Sequence, residues 1–469
     1  MKKGVLNHRS TTDEVGLLGH LLLLTIITSI HVVVVAYNGS TLYDSVFSLI
    51  CILWAMWAVL SRDTSFFLLF FLIINSIFMV TISCVVIEGG AYMIELFESG
   101  YLTGATTRYA FFSLLFLLSA YLIYNSLRGS RLQFNFDAEF SNSKGIMLLF
   151  YGVFGVILLF LFGGLVVYGS PLLNGVDRTR YWGQIAPPGT RYFNSLLPQL
   201  NFISGIFYTQ LTEKKLRRTV VGFFVLCITV QLLQGEKFSG LLLTIFFFYL
   251  PTKFLEFRYK NIRITFFLVL KVLGAGLAAL ISIFVNYTLQ YGSPLSGLIM
   301  IANRIGLQGQ VWWAADRLIT NSTLNSEYFI HHVMGFGAEE TTRGLNYLMF
   351  FLAPPEVSFS YFNSGSGFTA GFPAILLLGT GYLYGVFAVI ICGCLIGLVL
   401  YLFSIVMIRK KILFALLALK LFFATNLAFE MGDLHLLFSV KYILFIVLSV
   451  ALYYITIDLF SLNGKRVKI

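Results

Sequence analysis

Charge is what this 469-residue chain has least of: 11% of its residues are Asp, Glu, Lys or Arg, against about 25% in soluble domains. With 58% hydrophobic residues and a mean hydropathy of +0.86, this excludes an ordinary soluble domain and points to a polytopic membrane protein. Cysteine is scarce too. Cys51, Cys84, Cys227, Cys392 and Cys394 all fall in apolar runs, so no disulfide framework is expected, and Cys392-Gly393-Cys394 lacks the spacing of a redox pair. There is no HExxH, no Asp-x-Asp cluster, no Walker loop and no Rossmann fingerprint, so neither a metal nor a nucleotide cofactor is expected. Heptads, low-complexity tracts and short-period repeats are missing as well, which leaves one integral-membrane domain over 1–469.

What is present is apolar runs, each read against the roughly 20 residues a membrane span needs. Twelve candidates fall at about 15–37, 43–60, 65–87, 109–124, 145–168, 196–211, 219–234, 239–250, 264–287, 384–408, 412–429 and 437–460. The sixth and eighth are short. The expected fold is therefore all-α and polytopic, with about twelve transmembrane helices. With the N-terminal tail inside, most of the 32 Lys and Arg fall in inner segments, such as Lys214–Arg218, Lys253–Arg263 and Arg409–Lys411. That is the positive-inside pattern, and it predicts both termini in the cytoplasm. The net charge of +11 is then topology and gives no reason to expect a nucleic-acid partner. The basic tail followed by a full-length run predicts an uncleaved first span. Between Pro373 and Ile408 the run is too long for one span, and Gly379, Gly381 and Gly385 predict a short interfacial or re-entrant piece before the true span.

Two outward loops are large, 169–195 and 288–383. Seven outward basic residues are arginines: Arg108, Arg178, Arg180, Arg191, Arg304, Arg317 and Arg343. Arginine binds phosphate through a planar two-point fork and keeps its charge, so an arginine-bearing outer face suits a lipid-linked diphosphate. Solvated loop residues or interfacial snorkelers are the alternative for any one of them. Tyr181, Trp182 and Tyr192 beside these arginines suit either sugar rings or a membrane-interface belt. A helix starting after Pro294 would put Arg304, Gln308 and Trp312 on one stripe at spacing four. Arg317, thirteen residues past Arg304, would then lie about 220° around the axis. Either Gly306 and Gly309 bend that helix or one arginine alone faces a site, and a purely structural tryptophan stripe is the competing reading. Lys237, beside Glu236 in a tight outward turn, is a candidate contact to substrate or the partner of a neutralised pair. For a general base the candidates are His331, His332, Glu339, Glu340 and Asp316 in the main loop, and Glu430, Asp433 and His435 in the last outer loop.

The layout as a whole, with Gln231–Gly240 (QLLQGEKFSG) and the glycine-rich Ser364–Pro373 (SGSGFTAGFP) ahead of a span, resembles the bacterial O-antigen polymerases. These are the Wzy-type oligosaccharide repeat-unit polymerases. The resemblance implies a multi-pass inner-membrane glycosyltransferase with two sizeable periplasmic loops, joining polyprenyl-diphosphate-linked glycans into surface polysaccharide. It implies arginines in those loops as working residues. Arg304 and Arg317 then become catalytic candidates with Glu339 and His332, while Arg178, Arg180, Arg191, Lys237, Arg343, Gln308 and Trp312 become substrate and diphosphate contacts. The expected partners are lipid-linked glycans and the bilayer, with a chain-length regulator protein as a candidate. An O-antigen ligase and a flippase or secondary transporter are the alternatives.

Overall fold

A computed structural model describes residues 11–129, 144–174, 181–236, 239–260, 281, 284, 288, 292–319, 324–364, 367–409 and 412–461. The expected spans Gly16–Asn38, Leu42–Arg62, Thr64–Glu88, Ala105–Arg128, Gly145–Tyr168, Lys214–Leu233, Gly240–Arg258, Ala374–Ile408 and Phe414–Met431 are nine helices, among the described residues, long and apolar enough to cross a membrane. The chain is a multi-pass α-helical membrane protein. The short eighth run grows into a helix over Ser239–Lys260. The sixth becomes Thr190–Gln210, long enough but carrying buried Asn194, Asn201 and Ser204, which lower its apolar character. The last run becomes Val440–Ser461, while the ninth, 264–287, lies almost wholly outside the described residues.

Two compact units make up the chain: Met1–Gln133 with Leu280–Phe403 and Lys420–Ile469, and Phe134–Ala279 with Ser404–Leu419. In the second unit, Phe154, Leu158 and Leu161 of Lys144–Tyr168 pack with Leu197, Cys227 and Val230 from two neighbouring helices. Burial of this kind carries no hydrophobic gain over lipid, so close packing holds the helices together. Gly205 shows it: a methyl group there would lie 2.3 Å from the Phe248 carbonyl oxygen.

The first unit holds the main loop, 288–383. Its helices are α1 (Thr11–Asn38), α2 (Leu42–Arg62), α3 (Thr64–Glu88) and α4 (Ala105–Gly129), with a two-strand hairpin, β1 (Tyr92–Met93) and β2 (Glu98–Ser99), between α3 and α4. Glu88 ends α3 buried, and its carboxylate accepts from Ser45 Oγ (2.7 Å), Ala105 N (2.9 Å) and Thr106 Oγ1 (2.5 Å). One of those donors is the otherwise unsatisfied amide of Ala105, the first residue of α4, so a buried carboxylate becomes a cap.

In the main loop, Pro294–Gly306 and Gln310–Asp316 are separate helices. Of the two options left open there, a bend at Gly306 and Gly309 or a single arginine facing a site, the chain takes a break at the glycines. Ser83 of α3 satisfies it, donating to Gly306 O at 2.7 Å and accepting from Gly309 N at 2.7 Å. Gly309 is required there, because a methyl group would stand 2.7 Å from Ser83 Oγ. The long helix Ala374–Arg409 is likewise two pieces, joined at Gly381 with φ 65° and ψ 178°, a conformation open essentially to glycine alone. The predicted short piece before the span is Ala374–Thr380, with Ala374, Ile375, Leu376 and Leu377 all buried.

Candidate functional site

The outer loops of the first unit are tied together by arginine–carboxylate pairs, and those pairs decide which arginines remain available. Arg108, in the first turn of α4, donates to both oxygens of Asp316 (Nε 2.8 Å to Oδ1, Nη2 2.5 Å to Oδ2) and to Thr103 O at 2.7 Å. Tyr382, just past the Gly381 kink, donates to the same carboxylate at 2.7 Å. Arg317 forms a fork–fork pair with Glu98 of β2 at 2.7 and 2.9 Å, lies 4.1 Å over the Trp313 ring, and reaches Tyr101 OH at 3.0 Å. Glu95, in the same hairpin, accepts from Gln310 Nε2 and from Tyr361 OH at 2.6 Å. Burial pushes the Glu95 carboxyl above the usual range even against those two donors and the nearby positive charge of Arg304. The half-buried Tyr361 phenol, bonded to that carboxylate, is pushed up to about 12 by burial and by that bond.

Arg317 and Trp312 therefore act as framework. Trp312 is 0% exposed and gives its indole N–H to Ala105 O at 2.8 Å, so it plugs the core behind α4. The stripe Arg304–Gln308–Trp312 does not exist as one face: Arg304 is exposed, Gln308 half-buried in the helix break, and Trp312 enclosed. Asp316, a candidate base, is spent on Arg108. Replacing Arg317 with Ala is expected to cost about 0.2–1 kcal/mol, the range of a solvent-screened pair. A thermal-unfolding series in detergent checks it, and a loss well above that range would make the pair a main structural tie.

A cleft of about 500 Å³ opens in the main loop, lined by Glu327, Tyr328, His331, His332, Glu339 and Tyr347, with Asn325, Gly337, Ala338 and Thr342. It brings together three residues singled out from sequence, His331, His332 and Glu339. His332 Nδ1 lies 2.5 Å from Thr342 O. A carbonyl oxygen only accepts, so Nδ1 carries the proton and the neutral ring keeps its lone pair on Nε2. The imidazole stacks on Tyr347 (centroids 3.9 Å, 23°) and meets the edge of Tyr328 at 4.9 Å, which fixes its plane. The lining carries two carboxylates and no lysine or arginine. Arg343 follows the lining residue Thr342 directly. Among the described residues, the side chains of Arg343 and Arg304 make no hydrogen bond or ion pair, although the Arg304 charge bears on Glu95 and that of Arg343 on His435. No three His, Cys, Asp or Glu of the described residues are grouped as metal ligands.

Arg191 is exposed in the first turn of Thr190–Gln210, in the other unit. Arg178, Arg180 and Lys237 lie outside the described residues. Glu327, Tyr328 and Tyr347 are not among the site candidates read from the sequence. The signal for the first two was there: Glu327–His331 and Tyr328–His332 each stand at spacing four, the spacing of neighbours on a helix face.

A model of a family of unknown function, DUF6418, matches residues 338–446, a stretch that holds Glu339, Arg343 and the last outer loop. No curated protein and no solved structure matches the chain.

Proposed function

We propose that this protein is a membrane glycosyltransferase that joins polyprenyl-diphosphate-linked oligosaccharide repeat units into O-antigen or a similar surface polysaccharide. It would do so at the periplasmic face of a bacterial inner membrane, with about twelve spans and both termini in the cytoplasm. The observation that carries this reading is the cleft of His332 and Glu339 with an uncommitted arginine next to it, borne on a multi-pass membrane body. A transporter would be expected to place its polar groups near the midplane, within broken helices.

Within this reading the two chemical tasks divide between the cleft and the arginines. The cleft, acidic and aromatic, suits the hydroxyl-rich end of an acceptor glycan and repels a diphosphate. His332 Nε2 takes the proton from the acceptor hydroxyl as its oxygen attacks the anomeric carbon of the donor. The bond from that carbon to the diphosphate oxygen breaks, and Arg343, with Arg304 as the second candidate, meets the charge that develops on the leaving group. The proton passes from His332 to solvent. One displacement inverts the anomeric centre. Lipid tails stay in the bilayer throughout, so both substrates enter sideways between spans.

Surface lipopolysaccharide from the source strain, with the gene deleted and then restored, tests the reading. Collapse of the ladder to core carrying one repeat unit, reversed by the restored gene, is the expected result. Loss of even the single-repeat band would overturn polymerisation in favour of the ligase or flippase reading. Arg343→Ala should give the collapsed ladder and Arg343→Lys should recover little of it, because the two-point fork is lost. A normal ladder from Arg343→Ala would remove that residue from the site.

A further inference from the structure

The cleft wall that carries Glu339 and Arg343 is a ten-residue loop whose two ends, Gly335 and Gly344, both have positive φ (76° and 56°). Both ends close on one side chain from the last outer loop, His435. A methyl group on Gly335 would lie 2.8 Å from His435 Cβ, and one on Gly344 would lie 2.8 Å from His435 Nδ1 and 2.5 Å from Asp433 Oδ1. Glycine is thus demanded twice over at this neck, by backbone conformation and by the ring packed against it. The last outer loop is fastened to the main loop on both sides of the ring. Asp433 Oδ1 accepts from Leu345 N at 2.9 Å, Met431 O accepts from Gly371 N at 3.0 Å, and Phe438 meets Phe336 at 6.3 Å.

One detail sets His435 apart from a packing residue. Its Nδ1 is buried with no hydrogen-bond partner, and it stands 3.9 Å from Asp433 Oδ1, too far for a bond. The charged groups that face the ring are Asp433, on its own loop, and Arg343, from the loop it pinches. A neutral ring tolerates this position. A protonated one would be a buried cation beside Arg343, facing Asp433 at 3.9 Å but with its Nδ1–H too far from that carboxylate to hydrogen-bond.

We propose that His435 is a proton-sensitive clasp: while neutral it closes the neck of the 335–344 loop and holds Glu339 and Arg343 in place, and on protonation it releases them. Burial holds the imidazole below the usual histidine range, with Arg343 acting in the same direction and Asp433 against it. The sign follows by linkage. The open, hydrated ring takes up a proton more readily than the closed one, so acid favours opening and the closed state is fully populated only above the ordinary histidine range of about 6.5. The clasp stands whatever the cleft binds, so its test needs no glycan chemistry.

The test is labelling of an Ala338→Cys variant, full length in nanodiscs, by a membrane-impermeant thiol reagent between pH 7.5 and pH 5. Each rate is divided by that of the same cysteine in an Ala338→Cys/His435→Gln protein, which removes the pH dependence of the thiol itself. The ratio is expected to rise by roughly threefold or more on acidification, as preferential protonation of the open form requires. A ratio flat across that range would overturn the clasp. Should His435→Gln fail to fold, His435→Asn serves as the reference, and hydrogen exchange of 335–344 in the unsubstituted protein, corrected for intrinsic rate, supplies the second measurement. Exchange that does not speed up in acid would overturn the proposal equally.

Discussion

Glutamine in place of His332 is expected to cut glycan chain extension by roughly 10²–10⁴-fold, the contribution of a positioned general base. Protein abundance in the membrane and thermal stability should stay close to those of the parent. One hydrogen bond sets the role of the ring. Because Thr342 O can only accept, the ring is held as the Nδ1–H tautomer, and the nitrogen with the lone pair is Nε2. Glutamine fills nearly the same volume and can still donate an N–H to Thr342 O, yet its amide is no base at neutral pH. His331 is the internal control. It lines the same cleft, but its ring lies beside Gly337 with no such hydrogen bond to fix a tautomer, so His331→Gln should lose far less. The measurement is extension of a purified lipid-linked repeat unit by protein in nanodiscs. Equal losses from the two substitutions would remove His332 from the role of base and leave the cleft as a binding surface.

Much of the fold could be read from the chain, because the bilayer imposes its length scale directly on the sequence. Runs of apolar residues became helices at the expected places, and the surplus length before the span at Gly385 resolved into a short buried piece and a kink at Gly381. Glycine was legible there for a local reason: its conformational freedom is a property of one residue. The break at Gly306–Gly309 was legible only as one of two options, since the Ser83 that satisfies it comes from α3, 223 residues away. Partner choice was not legible at all. Arg108 and Asp316 are 208 positions apart, and Arg317 and Glu98 are 219 apart. Nothing local in the chain distinguishes an arginine that will be claimed by a distant carboxylate from one that will not. Arg317, read as a catalytic candidate, is claimed by Glu98, while Arg343 is not. The same break reset the helical phase, which is why a stripe inferred by counting from Arg304 failed at Trp312.

Alanine in place of Asp316 is expected to be the most destabilising single change on the outer face, lowering the unfolding free energy by about 3–5 kcal/mol, the cost of stranding one member of a buried pair. Asp316 has no exposed side-chain surface, and Arg108 is only one-fifth exposed. Without the carboxylate, the guanidinium keeps one bond, to Thr103 O, and Tyr382, just past the kink, keeps only the backbone oxygen of residue 316 at 2.9 Å. Asparagine there should recover part of the loss, since it can still accept from Tyr382 but cannot neutralise Arg108. The decisive comparison is a double substitution, Arg108→Met with Asp316→Leu, read by unfolding titration in mixed micelles. If the pair matters chiefly as a charge that must not be left alone, the double variant will be more stable than either single one. If instead the fork-shaped geometry itself holds the Gly381 kink against α4, the double variant will be at least as unstable as Asp316→Ala. The first outcome would make the pair replaceable; the second would make it the bond that aligns the long helix with the loop bearing the cleft.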